Sequence, residues 1–294
     1  MISHRISGKA PHWCLGLILS CCGTLPFSVS GKEPVREIKS AYSAKHATTD
    51  QFRVHGLSRF NTSQQATLRQ WLRAGVNATR ATLGIYPKPI DLFVYPRPSD
   101  QPVPWAHTRR DEPESVHFYV DSRFSADEFI ADWTIYHELA HLAIPYVGQD
   151  YAWFSEGFAS YMQYQIMAQN GQLKMPLAEA YRSKIAPHLR WFQVDVSAAA
   201  IAQNLMKKRN FPAAYWGGAW FFVLAEHKLL AAGHPALKDV IQAYQACCHD
   251  VDHDIRQLLS ALDQIIAEPL LLPLLDAFEQ QAARTFYPIT YSLN

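Results

Sequence analysis

Apolar side chains recur every three or four positions from Thr62 to Leu83, with polar residues between them. This period matches the α-helix and predicts an amphipathic helix with one face turned to the core. The residues predicted to face inward are Leu68, Trp71, Leu72, Val76 and Leu83. We therefore expect a helix over 62–83, before the strands of the fold.

Two short apolar runs follow this helix, from Ile90 to Tyr95 and from Val116 to Val120. Both are rich in β-branched and aromatic residues, which favour strands. The first run lies in a proline-rich segment from Pro87 to Pro113, and we predict that the rest of this segment is a loop. Its two candidate roles are a lid over a bound substrate and a rigid surface connection.

A second helical pattern extends from Ser125 to Ala143. Its first residues, Ser125-Ala126-Asp127-Glu128, are typical of a capping box, in which two side chains satisfy the first backbone amides. Apolar residues occupy nearly all sides of this pattern, as is typical of a buried helix. Pro145 ends it, because proline cannot donate a helix hydrogen bond. The pattern therefore predicts one continuous, buried helix.

Helical patterns dominate the remainder of the chain. One begins at Trp153 and continues to Gln169, where Asn170-Gly171 is a helix-ending signal. The later predicted helices are Pro176–Trp191, Ala214–Ala231, Pro235–Cys247, Ile255–Ala267 and Leu270–Ala283. Strands that precede a run of helices predict an α+β protein, with a small mixed sheet followed by a mostly helical lobe.

The first thirty residues have the pattern of a signal peptide. Arg5 and Lys9 precede an apolar run, Trp13 to Phe27, that is shorter than a comfortable membrane span. Small residues at Ser28-Val29-Ser30 suit cleavage, so we predict a signal over 1–30 and a secreted or periplasmic protein. An alternative is a lipoprotein signal, because Ile18-Leu19-Ser20-Cys21 loosely matches a lipobox and would attach a lipid anchor to Cys21.

Net charge and cysteine content indicate which partners and which disulfide bonds to expect. The net charge of +1 argues against a general nucleic-acid binder, and we expect no nucleic-acid partner. Of the five cysteines, only Cys247 and Cys248 would remain after cleavage at Ser30. A bridge between adjacent cysteines is strained, so we predict that these two are unpaired, half-buried helix residues.

The buried helix carries His137-Glu138-Leu139-Ala140-His141, an HExxH motif. Histidines four residues apart project from one helix face, so both imidazoles can reach one metal ion. Glu138 then points beside the ion, where its carboxylate can take a proton from water. The alternative is a surface helix with an ion cluster, which the apolar neighbours disfavour.

A catalytic zinc ion usually has three protein ligands. Downstream, Trp153-Phe154-Ser155-Glu156-Gly157 begins the next helix, with Glu156 predicted in its first turn. A carboxylate there is also favoured by the helix dipole without any metal. Asp150 is a competing third ligand, whereas a third histidine six residues after His141 is excluded, because that position is Val147.

The HExxH motif followed by Trp153–Tyr161 resembles the gluzincin zinc peptidases, in particular the catalytic domains of the aminopeptidase N and glycyl aminopeptidase families. The resemblance implies a thermolysin-like catalytic domain and one Zn²⁺ ion held by His137, His141 and Glu156. It also implies that Glu138 is the general base.

Two further expectations come from the same resemblance. Tyr215, in the aromatic segment Phe211–Phe222, matches a tyrosine that donates to the transition-state oxyanion; the alternative is an aromatic core helix. In gluzincins the strand before the motif helix is a sheet edge that pairs with extended substrate, and this places Ser115–Tyr119 at that edge.

The chain departs from these families in ways that limit the expected function. It has no Gly-x-Met-Glu-Asn segment, and the gap between His141 and Glu156 is shorter. We therefore predict a monomeric zinc metallopeptidase of unspecified specificity, acting on a peptide or protein substrate. Its catalytic domain would span 31–232 and a helical subdomain 233–294. The alternatives are a non-catalytic envelope protein with a retained zinc site and a zinc hydrolase of non-peptide amides or esters.

Overall fold

The structure, a computed structural model, describes residues 52–110, 113–250, 252–288 and 290. These residues fall within one compact unit, Thr48–Asn294. The predicted signal peptide over 1–30, including Cys21, lies outside the described residues. None of the helices in the described ranges is both long and apolar enough to cross a membrane.

The described chain is α+β. Its strands are β1 Phe52–His55, β2 Ile90–Pro96, β3 Trp105–Arg109 and β4 Ser115–Val120. Its α-helices are α1 Thr62–Leu83, α2 Ala126–Ala131, α3 Thr134–His141, α4 Ala152–Gln169, α5 Leu177–Ile185, α6 Ala198–Lys207, α7 Phe211–Ala231, α8 Leu237–Cys247, α9 Ile255–Ile266 and α10 Leu271–Gln280. Short 3-10 helices span Leu57–Arg59, Gln149–Tyr151, Ala186–Phe192 and Ala283–Thr285.

The four strands form one mixed sheet in the order β1-β2-β4-β3. β1, β2 and β4 are parallel, and β3 is antiparallel to β4. One face packs on the helices through side chains that are fully buried: Leu92, Val94, Val116 and Phe118. The Trp71 ring of α1 lies 5.0 Å from the Phe118 ring, between centroids, so α1 covers this face.

The opposite face of the sheet carries a row of stacked rings, one from each strand. The rings of His55 and Phe93 are 4.5 Å apart, those of Phe93 and His117 are 4.6 Å apart, and those of His117 and His107 are 4.9 Å apart. Cross-strand pairs of this kind stabilise a sheet and fix its register. The aromatic side chains on this face therefore pack against one another across neighbouring strands.

The predicted edge strand is wrong. Ser115–Val120 pairs with β2 on one side and with β3 on the other, so it lies inside the sheet. The strand beside the motif helix at the edge is β3, Trp105–Arg109, from the segment predicted to be a loop. Its sequence lacks an apolar run, and pairing with β4 rather than local propensity makes it a strand.

The predicted single helix over 125–143 is interrupted. The capping box at its beginning is confirmed, with Ser125 and Glu128 each accepting from the other's amide. The chain then leaves the helix at Asp132, whose carboxylate accepts from the Thr134 amide at 2.8 Å and begins α3. Aspartate competes for backbone amides in this way, and the apolar pattern continues across the break without revealing it.

Most other predicted helices form within a few residues of their expected bounds. α1 has the predicted bounds, and Asp254 caps α9 by accepting from the Gln257 amide. The pattern over Pro176–Trp191 divides into α5 and a 3-10 helix. α6, which Ser197 caps, was not predicted, although its alanines favour a helix.

The prediction of unpaired, half-buried cysteines is also wrong. Cys247 and Cys248 form a disulfide, and both residues are exposed. α8 ends at Cys247, and Cys248 has left the helical conformation with φ of −141°. The end of the helix between the two residues lets the side chains meet, which a continuous helix would prevent.

Helices α4 and α7 touch through their backbones. A Cβ atom on Gly218 would lie 2.3 Å from the carbonyl oxygen of Trp153, and one on Gly157 would lie 2.4 Å from the Gly218 carbonyl carbon. Only glycine permits such an approach. The crossing places Glu156, one residue before Gly157, close to Tyr215, three residues before Gly218.

Candidate metal centre

The motif helix α3 is buried along its whole length. Its two histidines project to the same side, and their ring centroids lie 4.9 Å apart. Both residues are at most 9% exposed. Burial of two imidazoles on an apolar helix requires polar partners, because an unpaired polar group in the core is unfavourable.

Glu156 of α4 supplies one partner to both histidines. Its Oε2 atom lies 3.3 Å from Nε2 of His137 and 3.7 Å from Nε2 of His141. The three potential ligand atoms all lie within 4.8 Å of one another. α4 begins at Ala152, so Glu156 lies beyond the first turn in which it was predicted. The helix dipole therefore stabilises a carboxylate at this position less than it would in the first turn.

This group of three could hold a metal ion. Tetrahedral zinc with bonds of about 2.0–2.2 Å to nitrogen and oxygen places its ligand atoms about 3.4 Å apart. The separations of 3.3 and 3.7 Å between Glu156 and the two histidines are close to this value. Three ligands leave a coordination position open, which is typical of catalytic rather than structural sites.

Gln163, on α4 two turns after Glu156, orients His137. Its Oε1 atom lies 2.9 Å from Nδ1 of His137. An amide oxygen can only accept, so Nδ1 of His137 donates to Gln163 and Nε2 is the ring atom that faces Glu156. This is the usual arrangement around a metal-ligating histidine.

The charges at this site are strongly coupled. Burial opposes ionisation of Glu156, but His141 and His137 outweigh that effect and hold its pKa well below the usual range. Burial also opposes protonation of His137, and the hydrogen bond and charge of Glu156 reverse the balance, so its pKa is raised. The carboxylate therefore stays anionic although it is largely buried.

Asp150, the competing third ligand, is not part of the group. Its Oδ1 accepts from the Gln203 amide at 3.0 Å, and the histidine–carboxylate group does not include it. No second group of metal-ligating side chains occurs within the described residues.

Glu138 lies between the histidines in sequence and is 8% exposed. The hydroxyl of Thr108 on β3 lies 2.9 Å from its Oε2 atom. Glu138 faces a cleft of about 520 Å³ that Glu156, both histidines and Tyr215 also line. The group is therefore reachable from outside although each histidine is buried.

Exposed aromatic side chains surround the mouth of this cleft. Trp105, Trp133 and Tyr146 line it and are 47%, 48% and 50% exposed. Strand β3 forms one wall, and its outer edge has no strand partner among the described residues. The cleft thus has an edge strand in one wall and exposed aromatic side chains in its lining.

Tyr215 of α7 lines the same cleft. Its ring lies 6.3 Å from that of His137, between centroids. Burial, followed by the charges of Glu156 and Glu138, raises its pKa well above the usual value. The hydroxyl therefore stays protonated and can act as a donor at neutral pH.

Two residues at the site were not found from the sequence. Gln163 carries a weak signal, because it lies two helical turns after Glu156 and on the same side of α4. Thr108 carries none, since the strand that positions it was not predicted.

No protein-family model matches this chain, and no curated protein sequence matches it.

Proposed function

We propose that this protein is a zinc-dependent metallopeptidase. The observation that carries the proposal is the group His137, His141 and Glu156 at the base of an open cleft, with Glu138 beside it. A Zn²⁺ ion held by these three side chains would polarise a carbonyl oxygen and acidify water. The gluzincin resemblance of the two motifs supports the same conclusion.

Glu138 acts as the general base in this proposal. Its carboxylate accepts the proton of the attacking water and passes it to the nitrogen of the leaving amine. Tyr215 donates its hydroxyl proton in a hydrogen bond to the oxyanion that develops on the carbonyl oxygen.

Strand β3 binds the substrate as an additional strand in this proposal. It lines the cleft and is the outermost strand of the sheet among the described residues, so an extended peptide could pair with its backbone amides and carbonyls. An extended peptide provides such groups at every residue. This favours a peptide or protein over a non-peptide amide or ester, whose hydrolysis would need the same chemistry but not the edge.

A non-catalytic protein with a structural zinc clamp is the second candidate. Structural zinc sites usually fill the fourth coordination position with a further histidine or cysteine. The cleft beside this group instead leads to solvent, and Glu138 would have no role in a clamp.

We also infer that the protein is a monomer and that it is secreted or periplasmic. The alternative is a protein anchored to a membrane by a lipid on Cys21.

The test compares Glu138→Gln with the wild-type protein, measuring zinc content and hydrolysis of a peptide mixture with and without chelator. We expect the wild-type protein to bind about one zinc ion and lose activity to the chelator. Glu138→Gln should keep its zinc and lose activity about 10²- to 10⁴-fold, because it removes only the base. Glu179→Gln, at an exposed site on α5, is the matched control and should keep both properties.

Two results would reject the proposal. One is a wild-type protein that takes up no zinc and is indistinguishable from Glu156→Ala. The other is Glu138→Gln that hydrolyses peptides as fast as wild type. A wild-type protein that binds zinc but hydrolyses neither peptides, esters nor simple amides would favour the structural clamp.

A further inference from the structure

The C-terminal end of the motif helix α3 is held by side chains from other elements. The Leu142 amide bonds to the carbonyls of Leu139 and Ala140, so it does not continue the regular pattern to Glu138. Tyr86 donates its hydroxyl to the Leu139 carbonyl at 2.6 Å. Arg110, just after β3, donates to the carbonyls of His141 and Ile144. The carbonyls of Leu139 and His141 also accept from backbone amides, so the side chains add a second donor to each of them.

Thr108 contacts the same helix in a different way. Its Oγ1 lies 3.0 Å from the Glu138 carbonyl oxygen and 2.9 Å from the Glu138 carboxylate. A hydroxyl has a single proton and donates to one acceptor at a time. The Thr108 hydroxyl can therefore donate to the Glu138 carbonyl at the helix end, or it can donate to the Glu138 carboxylate and hold it in place. The first role is like that of Tyr86, which donates to the Leu139 carbonyl. Tyr86 and Arg110 contact α3 through backbone carbonyls alone, whereas Thr108 also reaches a side chain of the site.

We propose that Thr108 is a positioning residue that fixes the Glu138 carboxylate toward the cleft, an inference that rests on the proposed peptidase function. A glutamate side chain has three rotatable bonds and can adopt many conformations. A hydrogen bond that holds the carboxylate in one of them places the general base before the reaction begins. Thr108 lies on the strand that forms the cleft wall. A peptide that pairs with β3 would therefore meet a base whose position is set by the same strand.

The experiment compares Thr108→Val, Thr108→Ser and Tyr86→Phe. Valine keeps the β-branched shape and loses the hydroxyl, whereas serine keeps the hydroxyl. Tyr86→Phe is the matched control, because it removes a bond to the neighbouring carbonyl of the same helix without touching Glu138. Both Thr108→Val and Tyr86→Phe should lower the melting temperature by about 2–4 °C.

Activity separates the two roles. We expect kcat of Thr108→Val to fall about 10- to 100-fold with little change in KM, the range found when a partner that orients a site residue is removed. Thr108→Ser should recover most of the wild-type kcat, and Tyr86→Phe should retain it. Equal kcat values in Thr108→Val and Tyr86→Phe would overturn the proposal and leave Thr108 as a helix-end contact.

A second measurement does not depend on activity. Cobalt(II) in place of zinc gives a visible spectrum that responds to hydrogen bonds around the ion. We expect Thr108→Val to shift this spectrum toward that of Glu138→Gln, with Tyr86→Phe unchanged. An unshifted Thr108→Val spectrum overturns the positioning role even if the wild-type protein hydrolyses peptides. Failure of the wild-type protein to bind cobalt or zinc overturns the proposed function and the positioning role together.

Discussion

Glu156 is a largely buried carboxylate, with its side chain 23% exposed, between two buried imidazoles. Each of these groups is costly to bury alone, and together they form a polar group that can exchange protons for a metal ion. The proposed metal site therefore consists of three side chains whose burial would otherwise lower the stability of the protein.

A second buried carboxylate, Asp91 on β2, has a structural role. Arg53 on β1 donates to both its oxygens at 2.7 Å, and His55 lies 2.7 Å from one of them. The hydrogen bonds from Arg53 are the main reason that the pKa of Asp91 is lowered from 3.8 to about 2. This carboxylate links β1 to the rest of the sheet.

The pH dependence of stability should reveal this link. Because the pKa is lower in the folded state, the stabilisation is complete above pH 3.8 and is lost as the pH falls toward about 2. Arg53 is half-exposed, so water screens its interaction with Asp91. We therefore expect ionised Asp91 to contribute about 1–2 kcal/mol to the free energy of unfolding, less than its pKa shift alone would give. Asp91→Asn should lower the free energy of unfolding at pH 6 and remove this part of the acid dependence.

Denaturant titrations from pH 6 to pH 2 measure this effect. Asp127→Asn, an exposed carboxylate on α2, is the control and should leave the acid dependence as it is in the wild-type protein. A wild-type curve and an Asp91→Asn curve that run parallel over this range would contradict the assignment.

At the scale of elements, the site depends on how α3, α4 and α7 pack. α3 carries the histidines, α4 carries Glu156 and Gln163, and α7 carries Tyr215. The close approach of α4 and α7 at Gly157 and Gly218 sets the distance between Glu156 and Tyr215. Stability and site geometry therefore depend on the same glycines.

Gly218→Ala should disturb this crossing. The new Cβ would lie 2.3 Å from the Trp153 carbonyl oxygen, and backbone cannot move away as a flexible side chain can. We expect a loss of about 1–3 kcal/mol in the free energy of unfolding, after the gain in helix propensity from alanine. Denaturant titration measures this free energy. An m value equal to that of the wild-type protein would show that the variant differs in stability alone.

Lys228→Ala, on the exposed side of α7, is the comparison for Gly218→Ala. It should change the free energy of unfolding by less than about 0.5 kcal/mol. A Gly218→Ala variant as stable as Lys228→Ala would show that the helices can separate at little cost.

Local signals predicted some elements well and others not at all. α1 and the capping box at Ser125 follow from the spacing of residues close together in the chain, so sequence alone was sufficient. β3 becomes a strand only because β4 lies beside it, and its propensity gives no indication of this. The break at Asp132 lies in an apolar pattern that continues on both sides, so periodicity predicted one helix where two exist.

For the whole molecule, the metal would join two separate helices. His137 and His141 lie on α3 and Glu156 on α4, so a bound ion crosslinks them in the folded state alone. A ligand that binds only the folded state stabilises it by about 4 kcal/mol at 1,000 times its dissociation constant. We therefore expect zinc to raise the melting temperature of the chelator-treated protein by several degrees.

Thermal unfolding with chelator and after zinc addition measures this stabilisation. Glu156→Gln should show a much smaller rise, because a neutral amide is a poorer ligand than a carboxylate. Glu179→Gln should show the wild-type rise. Identical melting temperatures of the wild-type protein with and without zinc would exclude a metal that joins α3 to α4.

The sequence by itself determined the α+β class, most of the helices and the placing of His137, Glu138 and His141 on one buried helix. These are consequences of spacing within a few residues, where helical geometry decides which side chains share a face. It also singled out Glu156 through a motif, but left Asp150 as an alternative.

Only the tertiary structure decided which carboxylate meets the histidines, which strand forms the sheet edge and which hydroxyl contacts Glu138. Each of these depends on elements distant in the chain, as with Thr108 and Glu138, which are 30 residues apart. Such contacts arise from packing of the sheet on α3 and of α4 on α7. Packing depends on the shapes of all the buried side chains together, and no local pattern encodes it.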